Sequence, residues 1–208
     1  MKKTAYQSCL DKIYKLGRFG IKLELDTILN ILKFLNDPQK NYPLVHVAGT
    51  NGKGSTATYI ASILEKAGFK TGLYTSPHLV KFNERIVING KQISNDQIVA
   101  AYEAVHTADI GKRKATFFEI ATAMGFYHFS KEAVDFAVIE TGMGGRFDAT
   151  NVINPEVSVI TNLSIEHTDY LGRTIKALAL EKGGIIKQDT PAVIGVSQPS
   201  GLTVIKQL

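Results

Sequence analysis

The sequence predicts an α/β protein, a mostly parallel sheet flanked by helices with a small hairpin inserted. Three observations carry that prediction. From Leu44 onward, short β-branched runs alternate with amphipathic segments of helical length, the pattern of successive βα units. A glycine-rich stretch joins the first of these runs directly to a helical segment, as in sheets that bring backbone close to a ligand. An Asn89-Gly90 pair separates the short runs 85–88 and 91–93, and a tight hairpin turn favours that pair because both turn residues need positive φ.

Ahead of the sheet, apolar spacing predicts a helix over residues 4–16 and another from Asp26, with Ile28, Leu29, Leu32 and Leu35 on one face. Gly17 and Gly20 separate the two. Strands are predicted over 44–48, 71–74, 134–140, 157–161 and 192–196, and the hairpin over 85–93. Helices are predicted over 55–66 with Gly68 as C-cap, 96–106, 116–129 and 174–181. No repeat, low-complexity tract or linker interrupts the chain, so residues 1–208 read as one domain.

Composition narrows the function classes. The 208 residues are 44% apolar and 21% charged, enough for one sizeable core. Cys9 is the only cysteine, so the chain cannot form an internal disulfide or a thiolate zinc site, which suits a reducing compartment. Two lysines follow Met1, but no apolar run stands behind them and no later stretch is long enough for a span. A cytoplasmic protein with no membrane partner is therefore expected. The net charge of +5 is spread along the chain without an aromatic-basic pattern, so no nucleic-acid partner is expected; polyanionic small molecules such as nucleoside triphosphates account for it.

Residues 46–56 hold the strongest chemical signal, a P-loop-type sequence between a buried strand and a helix. Gly49, Gly52 and Gly54 allow the N–H groups of Gly49, Thr50, Asn51, Gly52, Lys53 and Gly54 to turn toward phosphate oxygens, and the helix start adds partial positive charge. Lys53 would neutralise the terminal phosphates, and a hydroxyl on Ser55 or Thr56 would ligate Mg²⁺, a cation that takes hard oxygen donors. The spacing departs from GxxxxGK[ST]: Val47 stands at the first glycine position and Gly54 separates Lys53 from Ser55.

The segment 49–55, with a glycine after the lysine, resembles the folylpolyglutamate and dihydrofolate synthases, relatives of the Mur peptide ligases. Four further segments agree in order: 75–86, 116–123, 140–152 and 166–175, the last followed by 181–187. The resemblance covers residues 44–196 and implies the central domain of a Mur-type ligase. It implies ATP as cofactor, two Mg²⁺ ions, and an amide-forming reaction in which a folate or pteroate carboxylate is phosphorylated and then attacked by L-glutamate. It assigns Glu140 to Mg²⁺ on the phosphates, Ser76 and His167 to a second Mg²⁺, and to Lys182 a carbamate formed with CO₂. Lys53, Lys182 and His167 would form the catalytic set. Phe117 and Phe118 would wall a flat pterin or its benzoyl ring, with Glu119, Arg146 and Asp148 completing the acceptor site.

Several of these residues have plainer readings. Thr116 and Glu119 fit a capping box, which suffices by itself. Lys182 also reads as a solvated cation late in a helix, and His167 as a hydrogen-bonding loop residue. A ligase acting on a cell-wall precursor, and a nucleotide-binding NTPase module without ligase activity, are the two alternative functions. Full-length members continue into a second α/β domain, which is expected to be missing here; a fragment ending at Leu208 would fold and bind Mg-ATP weakly without joining glutamate to a folate.

Overall fold

The structure is a computed structural model and describes residues 3–19, 24–108 and 113–208. The predicted break at Gly20 lies outside the described residues, and Gly17 falls in a 3₁₀ turn, Leu16–Phe19, that follows the first helix. Eight α-helices and seven strands are formed among the described residues, in the order α1 (Ala5–Lys15), α2 (Asp26–Phe34), β1 (Leu44–Ala48), α3 (Lys53–Lys66), β2 (Thr71–Tyr74), β3 (Ile86–Ile88), β4 (Lys91–Gln92), α4 (Asn95–His106), α5 (Phe117–Lys131), β5 (Phe136–Glu140), β6 (Val157–Ile160), α6 (Thr168–Leu171), α7 (Ile175–Gly183), β7 (Ala192–Ile194) and α8 (Pro199–Ile205).

The strands form one sheet in the order β4-β3-β2-β5-β1-β6-β7. Strands β2, β5, β1, β6 and β7 run parallel, and the β3–β4 hairpin adds an antiparallel edge. The chain steps from β5 on one side of β1 to β6 on the other, so its connections diverge at β1; the crevice outside the carboxyl ends of strands at such a point is where open α/β sheets bind ligands. Register aligns those ends. Val47 pairs with Glu140 and with Val159, and Tyr74 with Ile139, so the residues after β1, β2, β5 and β6 emerge along one edge.

Both faces of the sheet are covered. Ile28, Leu32, Tyr74, Ile98, Phe126 and Phe129 are among the residues of the large core beneath α1, α2, α4 and α5. Val47, Ala57, Ala61, Val138 and Val159 form a smaller core under α3. Ile160, Leu163, Ala179, Val196 and Ile205 join α7 and α8 to the β6 side.

Local chemistry accounts for most element ends and for the departures from prediction. Thr4, Ser94 and Thr116 each cap a helix through a reciprocal box with Gln7, Gln97 and Glu119. Helix α3 starts at Lys53, two residues before the predicted Ser55, because Gly52 takes the left-handed cap conformation at φ 77°. Strand β5 starts at Phe136, since Ala133 at φ 48° and Val134, bonded to the Phe129 carbonyl, still belong to the end of α5. The one-turn helix α6, following His167 at φ 47°, was not predicted; four residues carry no periodic signal. Helix α5 is buried through most of its length, hence its continuous apolar sequence.

Candidate functional site

The loop between β1 and α3 is fixed by the segment that follows β6. Thr50 N–H donates to the Asn162 carbonyl at 3.1 Å, and Asn51 N–H donates to Asn162 Oδ1 at 3.0 Å. Thr161 Oγ1 and Asn162 Nδ2 both donate to the Asn51 carbonyl, at 2.7 and 3.0 Å. The Thr50 hydroxyl donates to the Ser164 carbonyl and accepts from Ser164 N–H, each at 3.0 Å. These bonds take the N–H groups of Thr50 and Asn51, expected from the sequence to turn toward phosphate, and spend them on Asn162, because the segment after β6 packs directly against the loop. Gly49 has no alternative residue: its φ is 147°, and a Cβ there would sit 1.9 Å from Thr161 Oγ1.

Lys53 turns its ammonium back onto the Thr50 carbonyl at 3.1 Å. Glu140, at the end of β5, is buried and faces the same loop: a Cβ built on Gly54 would lie 3.5 Å from both of its carboxylate oxygens. Ser76, just past β2, donates its N–H to Glu140 Oε2 at 2.9 Å. Burial pushes the Glu140 carboxyl above its ordinary value, opposed by the Ser76 N–H and the Lys53 ammonium. A carboxylate raised in this way is one that a cation would stabilise in its charged form. Ser55 is exposed in the first turn of α3, with Thr56 beside it half-buried.

Lys182 is not a solvated cation. It is 1% exposed, and its ammonium donates to the Gly49 carbonyl at 2.9 Å and to Glu166 Oε1 at 2.7 Å. Burial lowers its pKa, with Glu166 partly offsetting the effect. At Glu166 burial pulls upward, yet Lys182, Lys53 and His167 carry the carboxyl below its ordinary value. His167 itself is exposed at the cap of α6. Among the described residues, no group of three or more His, Cys, Asp or Glu side chains gathers as a metal cage; a cation beside Glu140 would draw its other ligands from hydroxyl, phosphate and water oxygens, which suits Mg²⁺.

The second set of predicted residues is divided: Phe117, Phe118 and Glu119 stand at the start of α5, while Arg146 packs on the end of α7, its N–H donating to the Glu181 carbonyl at 2.7 Å. Phe117 and Phe118 are half-buried at the start of that helix. Phe117 stacks on Tyr14 with centroids 5.8 Å apart, and the Phe118 ring lies where a side chain on Gly142 would fall, 2.4 Å from a built Cβ. The Glu119 carboxylate holds Thr116 N–H at 2.8 Å and receives both terminal nitrogens of Arg113, at 2.9 and 2.7 Å. It therefore secures the helix start. Asp148 is buried; it accepts from Met143 N–H at 2.9 Å and from the Thr150 hydroxyl at 2.5 Å, and that hydroxyl is met by His46 Nε2 at 2.8 Å. Burial raises the Asp148 carboxyl, with the Thr150 hydroxyl and backbone N–H groups opposing. Arg146 is exposed, its guanidinium 5.8 Å from the Phe147 ring.

The Mur ligase middle domain family matches residues 47–208, which include the loop, Glu140 and Lys182. The chain belongs to that family. Over 211 residues it is 43% identical to the dihydrofolate synthase/folylpolyglutamate synthase of Bacillus subtilis (strain 168), covering 98% of this chain and 49% of that protein. It is 45% identical over 184 residues to the folylpolyglutamate synthase of Lacticaseibacillus casei, covering 86% of this chain and 43% of that one. Of the solved structures, the apo form of L. casei FPGS matches with a TM-score of 0.92 at 40% identity, over 97% of this chain and 51% of that chain. An FPGS-AMPPCP-folate complex matches with a TM-score of 0.92 at 39% identity, over 97% and 51%. This Mur ligase middle domain spans about half the length of the curated relatives it matches.

Sequence reading missed three groups in this Mur ligase middle domain. Thr161, Asn162 and Ser164 hold the loop, but their pairing spans 111 residues for Asn51 and Asn162 and has no local signal beyond a polar run after a strand. His46 and Thr150 support Asp148 across 104 residues. Arg85 was read as part of the hairpin and of the resembling segment 75–86 but given no role, yet it is buried beside Phe117.

Proposed function

We propose that this Mur ligase middle domain is the ATP-binding part of an ATP-dependent acid–amino-acid ligase that adds L-glutamate to dihydropteroate, tetrahydrofolate or both. The observation that carries the reading is the loop of Gly49 to Thr56 with the Glu140 carboxylate set against Gly54. A backbone cradle, a lysine and a buried carboxylate on one sheet edge make a site for a nucleotide's phosphates and an associated cation. Curated relatives named as folylpolyglutamate and dihydrofolate synthases, and a solved relative bound to AMPPCP and folate, support the choice of substrates.

In this reading Gly52, Lys53, Gly54, Ser55 and Thr56 bind the phosphates, while Gly49, Thr50 and Asn51 shape the loop through their bonds to the segment after β6. Lys53 exchanges the Thr50 carbonyl for phosphate oxygen, which costs one hydrogen bond and gains a charge-assisted one. Ser55 and Glu140 would hold Mg²⁺, which when bound supplies positive charge to the transferring phosphoryl group. The acceptor carboxylate attacks the γ-phosphate, ADP leaves, and the amine of glutamate then displaces phosphate from the acyl phosphate. Phe117, Phe118, Glu119, Arg146 and Asp148 would form the acceptor pocket, Glu119 by fixing the start of α5 and Asp148 by holding the Met143 N–H.

Ser76, His167 and Lys182 are assigned to a second Mg²⁺, with Lys182 as a carbamate. In the geometry described above the Lys182 ammonium is spent on Gly49 and Glu166, so it must leave both before it can become an oxygen donor. Burial favours the neutral amine that CO₂ requires. The enzyme is proposed to be cytoplasmic; no helix of the described residues is long and apolar enough to cross a membrane. The remainder of the ligase site is assigned to a C-terminal domain of the same enzyme, in keeping with the greater length of the relatives.

The test is a coupled ADP assay on the full-length enzyme with dihydropteroate, tetrahydrofolate and a UDP-linked peptide precursor offered in turn. ADP release that requires glutamate and a pteroate or folate is the expected result. Release with the peptide precursor alone, or with no acceptor at all, would overturn the proposal.

A further inference from the structure

Arg85 is a charged side chain at this edge to which the proposed reaction gives no task. It follows the 3₁₀ turn Phe82–Arg85 and is 6% exposed. Its Nε donates to His78 Nδ1 at 2.8 Å, so the neutral His78 ring carries its proton on Nε2, which faces the Tyr14 hydroxyl at 3.3 Å. The guanidinium carbon lies 5.1 Å from the centroid of Phe117 and 6.0 Å from that of Phe82. The group also reaches the Tyr74 hydroxyl. NH1 is buried and has no hydrogen-bond partner, and no carboxylate of the described residues lies within ion-pair distance.

A guanidinium cannot shed its proton to escape such a place, and burying it without a counter-ion is costly. Two aromatic faces offset part of that cost, so packing alone leaves the rest standing. The position of the charge suggests what removes it. Thr75 N–H bonds to the Arg85 carbonyl at 3.1 Å, which places the residue beside Ser76, and its charge is among those that oppose the burial raising the Glu140 carboxyl. Arg85 thus stands at the inner end of the aromatic surface made by Tyr14, Phe117 and Phe118, toward Glu140.

We propose that Arg85 anchors the reacting carboxylate of the acceptor, beside the Phe117 ring. The inference rests on the ligase reading and adds to it the residue that recognises the reacting group. The chemistry of the surroundings separates a carboxylate from a phosphate: the β1–α3 loop and Lys53 already serve phosphate, whereas Arg85 offers the unpaired NH1 of a planar guanidinium next to stacked rings. Phe117 is half-buried and Tyr14 is 45% exposed, so the ligand reaches NH1 by displacing side chains that already border solvent.

Calorimetry of the protein with pteroate, and with the analogue in which the carboxylate is a carboxamide, tests the assignment in the presence of AMPPCP and Mg²⁺. The unaltered protein should prefer the carboxylate by about 10- to 100-fold, the range of a charge-assisted hydrogen bond. Arg85→Gln should abolish the preference while leaving carboxamide and nucleotide affinity within about threefold, and Arg85→Lys should keep part of it. Should Arg85→Gln fail to fold by circular dichroism, the comparison of Arg85→Lys with the unaltered protein decides. A carboxylate preference that survives unchanged in the folded variants overturns the Arg85 assignment and leaves the ligase reading intact; an unaltered protein that binds nucleotide but neither pteroate nor its amide overturns both.

Discussion

Lys53 begins α3 and holds its ammonium on the Thr50 carbonyl, outside the hydrophobic cores. Its removal therefore costs the fold little and the phosphates much. Lys53→Ala should lower ATP affinity by about 10- to 100-fold with an unchanged far-ultraviolet spectrum, and calorimetry showing full affinity in a folded variant would remove the residue from the site. Glu140→Gln should reduce the Mg²⁺-dependent part of nucleotide affinity more than the metal-free part, since it takes one charge from the cation's surroundings; equal losses with and without magnesium would count against that role. His46 makes a third prediction. It is fully buried, and that burial, with the Lys187 charge adding to it, pushes its pKa from 6.5 to about 3. Above pH 6.5 the ring is neutral folded or unfolded. As pH falls below that value the unfolded chain takes up a proton that the folded one refuses, so stability is lost at up to about 1.4 kcal/mol per pH unit down to roughly pH 3. Urea midpoints of His46→Gln against pH should show a shallower acid limb over that window; an identical slope would mean that other groups set it.

At the scale of elements, the phosphate loop is a strand-to-helix turn whose shape is imposed by a neighbour. Gly49→Ala should destabilise the protein by more than about 2 kcal/mol, because a φ of 147° and a contact of 1.9 Å to Thr161 Oγ1 cannot both be relieved locally. Chemical denaturation measures this, and a near-neutral result would show that the β6 segment yields easily. The capping boxes of α1, α4 and α5 were readable in part from spacing, and Thr116 with Glu119 was read as such. Helix α6 was not readable, since its four residues are too few for any period to register; the two-residue β4 was found only through the Asn89-Gly90 turn before it. Strand β7 ends at Ile194 because Gly195 closes on the Thr161 carbonyl, a contact between segments 34 residues apart that alternation along one strand cannot reveal.

For the whole molecule, a single sheet gathers groups that lie far apart in the chain. Thr71 to Glu140 contributes one side of the site and Val157 to Lys182 the other, with β1 between them. Helix α7 closes the arrangement by delivering Lys182 to the carbonyl of Gly49, 133 residues away, while Glu166 balances its charge. Truncating one member of such a buried pair leaves the other uncompensated. Lys182→Met should therefore weaken the fold and also free the Gly49 carbonyl, and the loss of nucleotide affinity should accompany it.

The sequence by itself determined the α/β class, the five parallel strands within a few residues, the hairpin and the position of the phosphate loop. Each of these is written in spacing that a local stretch of chain must satisfy: period-2 or helical apolar runs, an Asn-Gly pair, glycines between a strand and a helix. Through its resemblance to known ligases it also singled out Glu140, Ser76, His167 and Lys182. Tertiary structure alone decided which of these meet. It joined Glu140 to Ser76 and set it against Gly54, put Lys182 on Gly49 and Glu166, spent Glu119 on Arg113, and left Arg85 beside Phe117 with no carboxylate partner among the described residues. The physical reason is that hydrogen bonds and charge pairs between distant segments depend on strand order and register, and those follow from how two faces of the sheet are buried at once, not from the order of residues within any one segment.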